Sequence, residues 1–183
     1  MQMSLTKRAM GHFKTITYHK WLVMKGCFAV GLYRQGLIHD LSKYSPTEFL
    51  SGVYYYQGNR SPNAAEREKK GYSGAWLHHK GRNKHHYEYW CDVGKDKYMA
   101  GVKMPLNFVI EMFMDRIAAS KVYEKENYTN ASALDYYNLT KDYILIHEDT
   151  RQLLVRLLKM LEKKGERYTF AYIKKVLLPR KTY

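Results

Sequence analysis

The chain has 183 residues, with 31 Lys and Arg against 17 Asp and Glu, a formal net charge of +14. Hydrophobic residues at 45 % and aromatics at 15 % exclude wholesale disorder, and the length suits one compact domain burying roughly 70 % of the surface of its unfolded chain. The longest apolar-looking stretch, residues 21–38, is interrupted by Lys25, Arg34 and Gln35, so no membrane span and no membrane partner are expected.

The elements read as helices in chain order. Between His19 and Leu37, apolar residues recur at Leu22, Val23, Cys27 and Val30 with helical period, and Gly31 or Gly36 can break the run. Ser45-Pro46-Thr47-Glu48 reads as a capping box with proline at the first helical position, starting a helix that runs to about Gln57. Gly58–Asn63 is dense in turn formers, and residues 91–104 read as a polar loop without period. From Pro105 a helix carries Leu106, Val109, Ile110, Phe113, Met114 and Ile117 on one face. Residues 151–164 repeat Leu153, Leu154, Leu157, Leu158 and Leu161, as core or as a dimer seam, with Gly165 expected to stop the helix. No strand pattern of useful length appears. The fold class expected is all-α.

The positive excess is spread along the chain, which leaves no basic arm but raises the local concentration of anionic partners. Cys27 and Cys91, behind no signal-peptide pattern, read as thiols of a reducing compartment, and a cytoplasmic location is expected.

The eight histidines are the most informative residues. His19 precedes the dipeptide His39-Asp40, and His78, His79, His85 and His86 fall within nine residues of one another inside Trp76–Trp90. Imidazole and carboxylate are the donors that hold Zn, Mn or Fe. On the helix after Pro105, Asp115 has Met112, Ala118 and Ala119 beside it, and Glu111 one turn before. A carboxylate on such a strip is costly without a cation or hydrogen bonds. His19 and His39 would point to nearly opposite sides of one unbroken helix, so their convergence requires the break at Gly31 or Gly36.

A lone His, then His-Asp, then further histidines and a downstream Asp resembles the HD-domain superfamily of metal-dependent phosphohydrolases. The resemblance implies His19, His39, Asp40 and Asp115 as metal ligands, with His79 and His86 as further ligands of a two-metal site and Lys43 as the lysine of a His-Asp-x-x-Lys stretch. Nearly the whole chain also resembles an uncharacterised family of bacterial and phage proteins, through Gly36–Phe49, Gly58–Asn63, Trp76–Trp90 and Asp115–Lys121. The implied architecture is a single-domain HD-like helical bundle, with residues 1–126 as the metal-binding core and 127–183 as C-terminal helices packed on it.

The implied activity is hydrolysis of a phosphomonoester or phosphodiester, in a nucleotide or other small phosphorylated molecule, with one or two divalent ions (Mn, Fe, Zn or Ni) supplying hydroxide. Asp40 would bind or bridge metal, and Lys43 would contact the phosphate. Arg60, His78, Lys80, Arg82, Asn83, Lys84 and His85 are the expected substrate contacts, whereas Tyr87, Tyr89 and Trp90 read as aromatic core rather than a base-stacking surface. Two other readings use the same residues: an HD-like di-iron oxygenase, and a basic helical nucleic-acid-binding protein with a structural metal.

Overall fold

The computed structural model describes residues 3–183. Ser4 opens the first helix, α1 (Leu5–Val30), its hydroxyl accepting the Lys7 N–H, and Gly31 closes it in the left-handed conformation at φ 93°. The buried positions of α1 are His12, Ile16, His19, Val23, Gly26, Cys27 and Val30, a stripe of helical period that carries two histidines inside. A short α2 (Tyr33–Ile38) then turns the chain so that His39 comes back beside His19; the break falls at Gly31.

A single 3₁₀ turn, Leu41–Tyr44, leads into α3 (Pro46–Tyr55). Ser45 stands at the N-cap but makes no side-chain capping bond; its own N–H bonds to the Ser42 carbonyl, and Glu48 points to histidines instead of back along the chain. The capping-box reading is therefore corrected, although the helix starts where it predicted. Residues 62–63, expected in a turn, already belong to α4 (Pro62–Lys70), and α5 (Gly74–Lys80) follows. Buried Glu66 ties these elements together: its carboxylate accepts from Ser51 on α3, from Ser73 and from the Ala75 N–H of α5. That clamp fixes the rotation of α5.

The segment 91–104, expected to be loop, contains a small antiparallel hairpin, β1 (Cys91–Val93) paired with β2 (Met99–Gly101). It closes on the Gly94 N–H to Tyr98 C=O bond. The α6 helix (Leu106–Glu124) is buried nearly all round, with Met112, Ala118 and Ser120 inside as well as the predicted face. It is the central helix, packed most heavily against α1.

The chain ends in α7 (Ser132–Thr140) and α8 (Glu148–Tyr172), followed by a wider helical turn over Ile173–Leu177. Gly165 does not stop α8. It adopts φ 75°, ψ 173°, kinks the helix, and the chain resumes beyond it. The leucine stripe Leu153–Leu161 is buried in the chain's own core, not left for a partner. One apolar cluster extends from Val23 to Leu177 through α1, α6, α7 and α8, so the protein is a single all-α domain. Among the described residues, no helix is long and apolar enough to cross a membrane.

His12 shows how tightly α1 and α3 meet. Its ring lies against Phe49 and Tyr56, and a Cβ on Gly52 would run into it. Burial, with the charge of Lys43 added, lowers its pKa to about 4. The unfolded chain takes up this proton near pH 6.5 and the folded chain only near 4, so stability falls as pH drops through that window. Between pH 7 and 4 the protein should lose about 3 kcal/mol more than His12→Gln. Denaturant unfolding at both pH values measures the difference, and parallel losses would contradict the assignment.

Candidate metal centre

Asp40 is the centre's pivot. It adopts the left-handed conformation, φ 54° and ψ 23°, which Asp tolerates better than most residues. This lets consecutive His39 and Asp40 side chains converge, where an extended pair would diverge. Asp40 is 1 % exposed, and each of its oxygens faces a different set of imidazoles.

Around Oδ2 stand His39 Nε2 at 3.3 Å and His19 Nε2 at 3.6 Å, and His19 lies 2.8 Å from Asp115 Oδ1. Around Oδ1 stand His79 Nε2 at 3.3 Å and His85 Nε2 at 3.4 Å, with His86 completing the group. His19, His39, Asp40 and Asp115 thus offer donor atoms all within 4.8 Å of one another, as do Asp40, His79, His85 and His86. Donors bonded at about 2.0–2.2 Å to one ion stand roughly 3–3.6 Å apart. The two groups share Asp40, one oxygen each.

A second layer fixes how these rings point. His39 Nδ1 donates to Glu111 Oε1 at 2.9 Å, and His85 Nδ1 approaches the same oxygen at 3.2 Å. His79 Nδ1 donates to Glu48 Oε2 at 2.8 Å, and His78 Nδ1 donates to the other Glu48 oxygen at 2.7 Å. With Nδ1 carrying the proton, the Nε2 lone pairs of His39, His79 and His85 turn inward. Those three nitrogens, His86 Nε2 and Asp40 Oδ1 are buried without a hydrogen bond, and Asp40 Oδ2 pairs only with the Lys43 ammonium. Lone pairs aimed at lone pairs in a buried pocket repel unless a metal ion or a proton lies between them. The donor set fits metal ions.

The charges agree. Burial alone would raise the carboxyl pKa values, yet Asp40 is held well below the usual carboxylate range by His39, Lys43 and His79, and Asp115 likewise by His19 and His39. Glu48 and Glu111 are lowered through their histidine bonds, against burial. Burial lowers His86 well below its ordinary value and also lowers His19, which favours the neutral, ligating form. Burial opposes charge on His39 too, but Asp40, Asp115 and Glu111 raise it well above its ordinary value. Lys43 lies beside Asp40, its Nζ 2.6 Å from Oδ2. Burial would lower the lysine's pKa, but Asp40 and Asp115 raise it. The centre reaches solvent at Asp115 and Lys43, whose side chains are 18 % and 25 % exposed, against 8 % or less for His19, His39, Asp40, His79 and His85.

The remaining expected contacts lie elsewhere. His85 sits among the convergent imidazoles and not, as expected, at a substrate surface, because the chain turns back after Lys80 and carries residues 85 and 86 inward. His78 is held by Glu48 outside both groups. Asn83 is engaged structurally, donating to Ser42 and to the His79 carbonyl. Arg82 and Lys84 are exposed on the outer side of this turn, where Lys84 lies over the Tyr89 ring, and Lys80 beside them is half-buried. Arg60 pairs with Glu68 and Gln57. Tyr87 and Trp90 pack on the core. Neither Glu48, read as part of a helix cap, nor Glu111 is expected at the centre from the sequence. The available signal was an acid in a strongly apolar helix, one turn from Asp115.

Compared with known proteins, residues 8–160 match the model of a family described as a family of unknown function (DUF5662). No curated protein and no solved structure matches the chain.

Replacing Glu111 or Glu48 by Gln leaves every candidate ligand in place but weakens the bonds that orient it. Each variant should bind Mn²⁺ or Zn²⁺ about 10–100-fold more weakly in a chelator-competition titration. Arg82→Ala, on the outer side of the turn, should leave the affinity unchanged. Equal affinities in all three proteins would contradict the orienting role.

Proposed function

The chain belongs to the family of unknown function DUF5662, and from the chemistry of its centre we propose that it is a metal-dependent hydrolase of phosphoester bonds in a small anionic substrate such as a nucleotide. One observation carries this reading: buried imidazole nitrogens, most of them without a hydrogen bond, and carboxylate oxygens converge in two groups that share Asp40. The order of the residues, a lone His19, then His39-Asp40, then Asp115, supports an HD-type centre. The unpaired Cys27 and Cys91 fit a cytoplasmic setting.

In this reading His19, His39, Asp40 and Asp115 hold one divalent ion, and Asp40, His79, His85 and His86 a second. When bound, such ions lower the pKa of coordinated water towards neutrality and draw charge from a phosphoryl oxygen. Glu111 and Glu48 keep the imidazoles aimed inward. Lys43 stands at the open edge, where its ammonium meets a phosphoryl oxygen and stabilises the charge that grows there. The net charge of +14 draws an anionic substrate towards that edge. The buried walls around Asp40 exclude bulk water from the remaining sides.

The test combines metal analysis of protein purified without chelator with a panel of p-nitrophenyl phosphate, bis-p-nitrophenyl phosphate and nucleotides. The protein should carry Mn, Fe, Zn or Ni and release phosphate or p-nitrophenol. His39→Ala and Asp40→Asn should lose both metal and turnover. Lys43→Ala should keep its metal while turnover falls about 10²–10³-fold. Metal-loaded protein inert towards the whole panel would overturn the hydrolase reading, and dioxygen uptake by the iron-loaded form would replace it with an oxygenase.

A further inference from the structure

A cavity of about 570 Å³ opens between α1, α6 and the loop after α3, within the size range of small-molecule sites. It is lined by residues of α1 and α6 and of the loop joining α3 to α4. Thr15 on its wall lies one turn before His19, roughly 6 Å along α1, and Tyr123 lies eight residues after Asp115, roughly 12 Å along α6. The cavity therefore lies farther along the same α1–α6 pair that carries His19 and Asp115. Tyr123 is close enough to feel the charges of both Lys43 and Asp115, the two residues at the centre's open edge.

Its lining combines cations with phenols. Arg60 and Lys121 are neutralised by Glu68 and Glu166, each at 2.5 Å. Lys14 and Lys125 have no carboxylate partner among the described residues, and the lining holds one acid, Glu126. Tyr56 is fixed by a 3.2 Å hydrogen bond to Thr15. Lys125 also occupies a strained position. It caps α6 at φ 54°, ψ −117°, a backbone region that strains any residue with a Cβ. Glycine at this position would relieve the strain.

We propose that this cavity receives the body of the substrate beyond the reacting phosphate: a nucleoside-sized group lying among Tyr56 and Tyr123, with a second anionic group against Lys14 and Lys125. This rests on the hydrolase reading for the position of the first phosphate, but binding in the cavity is measurable without turnover. The substrate class is then a nucleotide carrying two phosphates and not a simple monophosphate.

The experiment is calorimetric titration of the purified, metal-containing full chain with adenosine 3′,5′-bisphosphate and with adenosine 5′-monophosphate. The bisphosphate should bind at least 10-fold more tightly. Lys14→Gln and Lys125→Gly should each remove most of that advantage without changing metal content. Lys125→Gly should also raise the melting temperature, a combination that a merely structural lysine would not give. Equal affinity for the two nucleotides, or a preference that survives both substitutions, overturns the proposal. A preference that follows these lysines in protein inert towards every phosphoester retains the cavity and rejects the hydrolase reading.

Discussion

Removing a carboxylate from water costs several kcal/mol unless cations meet it on arrival, and the whole centre is organised around one such group. Asp40 is 1 % exposed, yet the nearest atoms to its oxygens include ring nitrogens of His39, His79 and His85 whose lone pairs face it. Lys43 supplies one positive charge, and three further carboxylates stand within the same network. Divalent ions resolve this conflict while leaving the imidazoles neutral, which is why the geometry reads as two groups sharing Asp40.

The fold serves this arrangement from several directions. His19 comes from the buried stripe of α1, Glu111 and Asp115 from one turn of the central α6, and the His39-Asp40 pair from the chain reversal after Gly31. Glu66 locks α5 to α3, and so brings His79 against Glu48. The C-terminal helices contribute none of the grouped side chains. They complete the apolar cluster against which α1 and α6 are held. The helices around the centre hold these donors in fixed directions, and the centre meets solvent at Asp115 and Lys43.

Much of this was legible in the residues. Apolar recurrence gave the long helices, and the mismatch in direction between His19 and His39 required the break that Gly31 provides. What escaped was set by contacts distant in sequence. Glu48 looked like half of a capping box because its spacing from Ser45 fits one, whereas two histidines thirty residues away outcompete the local bond. The inward set among residues 78–86 could not be chosen by period. His79 projects from a helix, but His85 and His86 follow a turn that resets the direction. Gly165 was expected to end α8, yet its flanks on both sides are buried in the same core, and tertiary packing carries the helix past it.

The central claim is that Asp40 is shared between two metal positions. Anomalous diffraction from a crystal grown with Mn²⁺ tests it most directly. The account predicts two peaks, one bounded by His19, His39 and Asp115 and the other by His79, His85 and His86, on opposite sides of the Asp40 carboxylate. A peak remote from Asp40, or none within this cluster, would contradict it.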